Sequence, residues 1–222
     1  AGPDACGVAT ARTFVPSWGW VVLARARPRT PFRVVPIRVL RATLPCMSNP
    51  SPDPAVISRR FDPGPEIPNH PDLPLLIYQQ AVARNQTDLA SWFTQAYRRN
   101  GWGGAWRWSV FDYHHFHPNA HEVLGVARGS ATLQLGGPQG EPFDVEAGDL
   151  ILIPAGVGHK NLGASAGFQV IGAYPRGQEG YDTLRGLPHP ADAVLEQIRA
   201  VPLPEADPLY GVEGPVFRHW HL

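Results

Sequence analysis

The chain has 222 residues with 19 basic and 19 acidic side chains, and the resulting formal net charge of zero argues against nucleic acid as its main partner. Its 23 glycines and 25 prolines fit many short strands joined by tight turns. Two cysteines, Cys6 and Cys46, give no disulfide framework, and the absence of a secretory pattern or of an apolar run of roughly 18 residues excludes a membrane role and points to the cytoplasm.

Residues 1 to 46 differ in character from the rest. They carry seven arginines (12, 25, 27, 29, 33, 38 and 41) and one acid, Asp4, and leave 12 basic and 18 acidic residues to the remainder. Met47 is the only methionine, and Ser-Asn-Pro-Ser-Pro-Asp-Pro follows it. The pattern predicts an N-terminal extension without an evolved fold, arising from an upstream start. The alternative is an Arg-rich transit peptide, which the shortage of serine and the prolines disfavour.

Residues 47 to 104 are expected to supply an N-terminal strand and a helix that pack on a barrel. Leu73 to Tyr78 is a short apolar run bounded by proline and reads as an edge strand. Thr87 to Arg99 reads as a helix capped by Thr87, with Leu89, Trp92, Phe93 and Ala96 as its buried stripe and Asn100-Gly101 as its stop.

Residues 105 to 175 carry the pattern of a β-barrel core. Ala105 to His117 alternates, with Trp106, Trp108 and Val110 on one face and Phe111, Tyr113, His115 and His117 on the other. Ala131 to Leu135, Phe143 to Glu146, Leu150 to Ile153 and Phe168 to Tyr174 are further strands, and their regular spacing argues for a sandwich or barrel. In residues 176 to 222, Ala191 to Val201 reads as a helix that buries Ala191, Val194, Leu195 and Ile198. The Pro-rich strap from Pro202 to Gly211 is expected to wrap the barrel or a neighbouring subunit, and its apolar surface, with that of the tryptophan-rich segments, predicts a homodimer.

Five of the nine histidines (114, 115, 117, 121 and 159) fall between Tyr113 and His159. His115 and His117 are two apart on a predicted strand and so share a face. Pro118-Asn119 signals a turn, after which Glu122 can face back toward the pair. The glycines from Gly156 to Gly158 place His159 at the start of another strand. Three imidazoles and one carboxylate suit Mn, Fe, Ni, Zn or Cu rather than Ca or Mg. His121 is the rival to Glu122, as a replacement or as a buttress to a ligand. His114 has the opposite parity to His115 and is left out. Tyr113 shares the parity of the His pair and is a candidate pocket residue, and a core tyrosine is the equal alternative. Lys160, the only lysine, points away from His159 by parity, whereas Asn161 shares its parity and is the better candidate to touch a ligand. His219 and His221, without a carboxylate pattern beside them, form a poor ligand pair.

His115-x-His117-x4-Glu122-x6-Gly129 resembles the first cupin motif, and Gly148-x5-Pro154-x-Gly156-x2-His159 resembles the second. The match covers roughly residues 105 to 175. Ser109 stands where the first motif has glycine, and Gly163 where the second has asparagine; neither position is a usual metal ligand. The stretches from His121 to Gly129 and from Pro154 to Leu162 further resemble the bacterial YjlB-like single-domain cupins. The resemblance implies a mainly β cupin jelly roll (a double-stranded β-helix) with a few flanking helices. It also implies one divalent transition metal on His115, His117, Glu122 and His159, and the hard carboxylate oxygen beside imidazoles without thiolate puts Fe or Mn ahead of Zn or Ni. It does not give a substrate. A metal-dependent dioxygenase, decarboxylase or isomerase acting on a small organic molecule is the first functional expectation, and a non-catalytic small-molecule or sugar-binding cupin is the alternative.

Overall fold

The computed structural model describes residues 49 to 221, apart from 53 and 190. The expectation for residues 1 to 46 lies outside the described residues.

Among the described residues, nine strands and three helices follow in order: β1 Ala55–Arg59, β2 Leu75–Gln79, α1 Leu89–Arg99, β3 Trp102–Trp108, β4 Glu122–Arg128, β5 Ser130–Leu135, β6 Glu141–Glu146, β7 Leu150–Ile153, β8 His159–Ala164, β9 Gln169–Pro175, α2 Asp192–Ala200 and α3 Pro215–Trp220. Six strands form one antiparallel sheet in the order β1-β2-β7-β4-β9-β3, and three form a second in the order β6-β5-β8. The two sheets face each other as a jelly-roll barrel.

Strand periodicity explains the two cores. On the central strands, Leu75, Ile77, Leu124, Val126, Ile151, Ile153 and Val170 point inward, where they meet Leu133, Leu135 and Val145 of the smaller sheet. The alternate residues Leu76, Tyr78, Val123, Leu150, Leu152, Ile171 and Ala173 point outward and are covered by α1, Leu209, Val216 and Trp220. A sheet covered on both faces needs apolar residues at every position, which is why Leu150–Ile153 reads as a continuous run. Helix α1 lies close because β4 has Gly125 beneath it; a Cβ there would collide with the Phe93 ring and the Tyr97 hydroxyl.

Several local expectations are corrected. Leu75–Gln79 is not an edge strand but pairs with β1 on one side and β7 on the other. The outer strand Ala55–Arg59 is the edge, and its prolyl surroundings hid it. Asp88, not Thr87, caps α1; its carboxylate accepts from the Ser91 backbone N–H at 3.1 Å. Of the four residues assigned to the buried side of α2, only Ile198 is fully buried. The predicted strand from Ala105 to His117 is interrupted, since β3 ends at Trp108 and pairing resumes only at the isolated bridge between His115 and His159. The cause is a change of sheet. β3 pairs with β9 in the larger sheet, whereas Phe111 O accepts from Asn161 N on β8, at the edge of the smaller one.

The Pro-rich strap wraps its own barrel. Trp102 Nε1 donates to Ala206 O at 2.9 Å, and Asn100 Nδ2 donates to Pro208 O at 2.9 Å. Asp207, fully buried, accepts from the Tyr78 hydroxyl at 2.7 Å and from the backbone of Leu209, Tyr210 and Val216. Helix α3 is fixed by Trp220 Nε1, which donates to Pro74 O at 2.9 Å. Among the described residues, no helix is long and apolar enough to cross a membrane.

Candidate metal centre

Four side chains converge inside the barrel from three places. His115 and His117 come from the segment that crosses between the sheets, Glu122 opens β4, and His159 opens β8. Two hydrogen bonds join the His115 and His159 backbones, N to O in both directions at 3.3 and 3.0 Å, and bring their rings to 4.0 Å between centroids. Glu122 points inward because it shares parity with Leu124 and Val126.

The ring nitrogens divide into two sets. Each Nδ1 meets a backbone carbonyl: His115 that of Tyr113 at 3.2 Å, His117 that of Asp182 at 2.7 Å, and His159 that of Val157 at 3.2 Å. With Nδ1 carrying the proton toward a carbonyl, each Nε2 presents its lone pair to the interior. One ligand atom from each ring lies within 4.8 Å of those of the other two. Glu122 Oε2 stands 3.4 Å from His117 Nε2 and 3.3 Å from His159 Nε2. The other carboxylate oxygen, Oε1, accepts from the Tyr174 hydroxyl at 2.8 Å, and the Tyr174 oxygen accepts from Trp106 Nε1 at 2.9 Å. Trp106 reaches Tyr174 by lying flat on Gly172, where a Cβ would collide with the indole.

All four residues are at most 5 % exposed. Burial holds His115 well below its ordinary pKa. Burial also works to lower His117, but the Glu122 carboxylate outweighs it and raises the ring above the usual histidine value. Burial would raise Glu122, yet His117 and His159 beside it hold the carboxyl well below the usual range. Burial and the neighbouring carboxylate push the Tyr174 hydroxyl far up, so it remains a donor.

The residues fit a divalent metal on their own chemistry. Glu122 Oε2 is buried without a hydrogen-bond partner, amid imidazole nitrogens whose other side is already committed. Three buried histidines can thus bind a metal, with the carboxylate oxygen beside them.

The remaining candidates lie elsewhere. His121 points away from Glu122, with Nδ1 accepting from Ala155 N at 3.0 Å and the ring 4.9 Å from that of Trp220. The Tyr113 ring stacks on Phe111 and carries the Arg185 guanidinium 3.7 Å from its centroid, outside the pocket. Asn161 accepts from its own neighbour Gly163 N at 2.9 Å and does not line the pocket either. His114 is only half-buried and stays outside the histidine group.

A pocket of about 290 Å³ opens over the four residues. Trp106, Trp108, Val110 and Phe111 line it together, although strict alternation predicted opposite faces for Val110 and Phe111; the break after β3 brings both inward. Tyr174, Tyr181 and Thr183 also line it and were not anticipated. Tyr174 could have been found from its parity with Val170 and Gly172. Tyr181 and Thr183 sit in a loop without periodicity, so no sequence signal marked them. Asn119 secures that loop, accepting from Asp182 N at 2.8 Å and donating to Asp182 Oδ2 at 3.1 Å.

The family model described as a cupin domain matches residues 109–166. The uncharacterized protein YjlB of Bacillus subtilis (strain 168) is 44% identical over 154 residues, covering 69% of this chain and 90% of that protein. Among solved structures, acireductone dioxygenase from Bacillus anthracis, with a cadmium ion in its active centre, is 19% identical with a TM-score of 0.31, over 55% of this chain and 79% of its own. Procruciferin, an 11S globulin from Brassica napus, is 20% identical with a TM-score of 0.32, over 71% of this chain and 36% of its own.

Proposed function

This chain belongs to the cupin family, beside YjlB, and from that premise we propose that it is a metal-dependent enzyme acting on a small organic molecule, of dioxygenase, decarboxylase or isomerase type. His115, His117 and His159 would hold one divalent transition metal through Nε2, and Glu122 through Oε2. Fe or Mn comes ahead of Zn or Ni because a hard carboxylate oxygen joins the imidazoles and no thiolate stands beside them among the described residues. Four protein ligands would leave one or two positions on a five- or six-coordinate ion, and the ion would supply Lewis-acid or oxygen chemistry there.

The observation that supports this most is the unpartnered Glu122 Oε2, aimed at His117 and His159 beneath an open pocket. A buried carboxylate oxygen without a donor is costly unless something else neutralises it. The protein's own part is positional. The carbonyls of Tyr113, Asp182 and Val157 fix the histidine tautomers, Tyr174 holds the carboxylate, and the aromatic walls exclude water. Elemental analysis of anaerobically purified protein is the test. About one equivalent of Fe or Mn is expected; protein that carries no metal and binds none on titration would overturn the reading in favour of a metal-free binding cupin.

A further inference from the structure

The pocket above the four residues has walls of one chemical character. Trp106, Trp108 and Phe111 line it, and so do Tyr174 and Tyr181, which stack at 4.1 Å. Leu124 and Val110 add apolar surface. Among the described residues, no lysine or arginine lines the pocket, and Glu122 is its only carboxylate. Apart from the proposed ion, nothing in it would balance a negative charge on a ligand, and moving an unpaired carboxylate or phosphate off water is costly. The polar groups are few. Tyr174 is committed to Glu122, and Ser109, Thr183 and Tyr181 remain. A polyol would leave several hydroxyls unmet against indole and phenyl faces.

The mouth carries a second signal. Trp108 is 59% exposed and Tyr181 is 38% exposed, both unusual for such large rings. Both line the same pocket. A flat ring held in the pocket would cover exposed aromatic surface there, beside Phe111, which already packs against Trp108 at 5.1 Å.

We propose that the ligand of this pocket is an uncharged, flat aromatic compound bearing one oxygen donor, packed against the Trp108 and Tyr181 rings with its oxygen toward the histidines. This names the substrate class for the proposed enzyme and rests on that reading only for the direction in which the oxygen points. Anionic and sugar-like compounds are selected against by the walls.

Calorimetric titration of the full chain, as purified and after chelation, tests the assignment with three probes: 2-naphthol, 2-naphthoate and glucose. In the chelated protein, 2-naphthol should bind at least about tenfold more tightly than 2-naphthoate, and glucose should not bind. Trp108→Ala and Tyr181→Ala should each weaken 2-naphthol about tenfold, in keeping with lost ring stacking and burial. Trp108 is largely exposed, so Trp108→Ala should keep the parent melting temperature; Tyr181 packs on Tyr174 and His117, so Tyr181→Ala is titrated well below its own melting temperature. Equal or tighter binding of glucose or 2-naphthoate to chelated protein overturns the proposal, as does 2-naphthol binding that neither substitution changes. Metal content is read separately. A metal-free protein that still binds 2-naphthol through Trp108 supports this assignment while removing the enzymatic one, and a metal-loaded protein indifferent to 2-naphthol does the reverse.

Discussion

The Tyr174 hydroxyl donates to Glu122 Oε1 at 2.8 Å, across the neighbouring strands β9 and β4. The register that pairs Val123 with Ala173 sets these two residues opposite each other on the inner face. The bond fixes one carboxylate oxygen and so turns the other toward His117 and His159. Tyr174→Phe should weaken metal binding about tenfold to a hundredfold, the usual loss for a group that orients a ligand. It also leaves Glu122 Oε1 and Trp106 Nε1 without partners, at a cost of about 1–3 kcal/mol each. Manganese titration and thermal melting read the two effects; unchanged affinity would remove Tyr174 from the positioning role.

Substitution separates the proposed ligands from their neighbours. His117→Ala should abolish stoichiometric metal while the far-ultraviolet circular dichroism persists, because the hydrophobic core does not depend on the ion. Glu122→Gln should weaken metal more than His121→Ala. His121→Ala should instead destabilise the fold by about 2–4 kcal/mol, since it opens space beside Trp220 and strips the Ala155 N–H of its acceptor. His114→Ala should leave binding nearly intact. If His121→Ala empties the site and Glu122→Gln does not, the two roles are exchanged.

Why the choice between Glu122 and His121 was open in the sequence is a matter of burial. A strand with one wet face announces its inner residues by alternation, but β4 is buried on both sides and reads Glu-Val-Leu-Gly-Val throughout. Parity alone could not say which face was the inside. The histidine spacing was legible because the motifs fix it locally. The crossing of residues 109 to 114 between sheets was not, because Trp, Val, Phe and Tyr favour extended structure in either sheet. Tyr181 and Asp182 reach the site through tertiary contacts alone: Asp182 by its backbone carbonyl, a group every residue type carries, and Tyr181 by a ring edge against His117.

Acid should destabilise the fold through two buried histidines that act as acceptors. His70 Nδ1 accepts from the backbone of Asp72 and Leu73 at 3.1 and 2.9 Å, and His121 Nδ1 accepts from Ala155. Burial lowers His70 to about 4 and His121 to about 3, against about 6.5 for an unperturbed ring. Both folded values lie below the unfolded one, so the unfolded chain takes up protons first. Stability is complete above pH of about 6.5 and falls as pH drops toward 4 and then 3. Urea unfolding between pH 7 and pH 4 should show a steady decline; a flat profile would contradict it.

The N-terminal segment offers a simple check on the composition argument. Protein beginning at Met47 should melt at the same temperature as the full chain, because the arginine-rich stretch contrasts with the acidic remainder. Insolubility, or a drop of many degrees in differential scanning calorimetry, would show that residues 1 to 46 contribute to the fold.

Asp207 and its strap bear on how the protein is made. The outer face of the larger sheet takes Leu209, Val216 and Trp220 into its core, and Tyr78 finds its hydrogen-bond acceptor only in Asp207. During synthesis, the strands that supply the histidines and Glu122 leave the ribosome well before these residues. A nascent chain released as far as β9 therefore holds every proposed ligand while Tyr78, Trp102 and the Leu76 side of the sheet lack their cover. Final closure must wait until residues 207 to 220 have been made, and the interval is one in which a half-sealed sheet is exposed to chaperones and to other nascent chains.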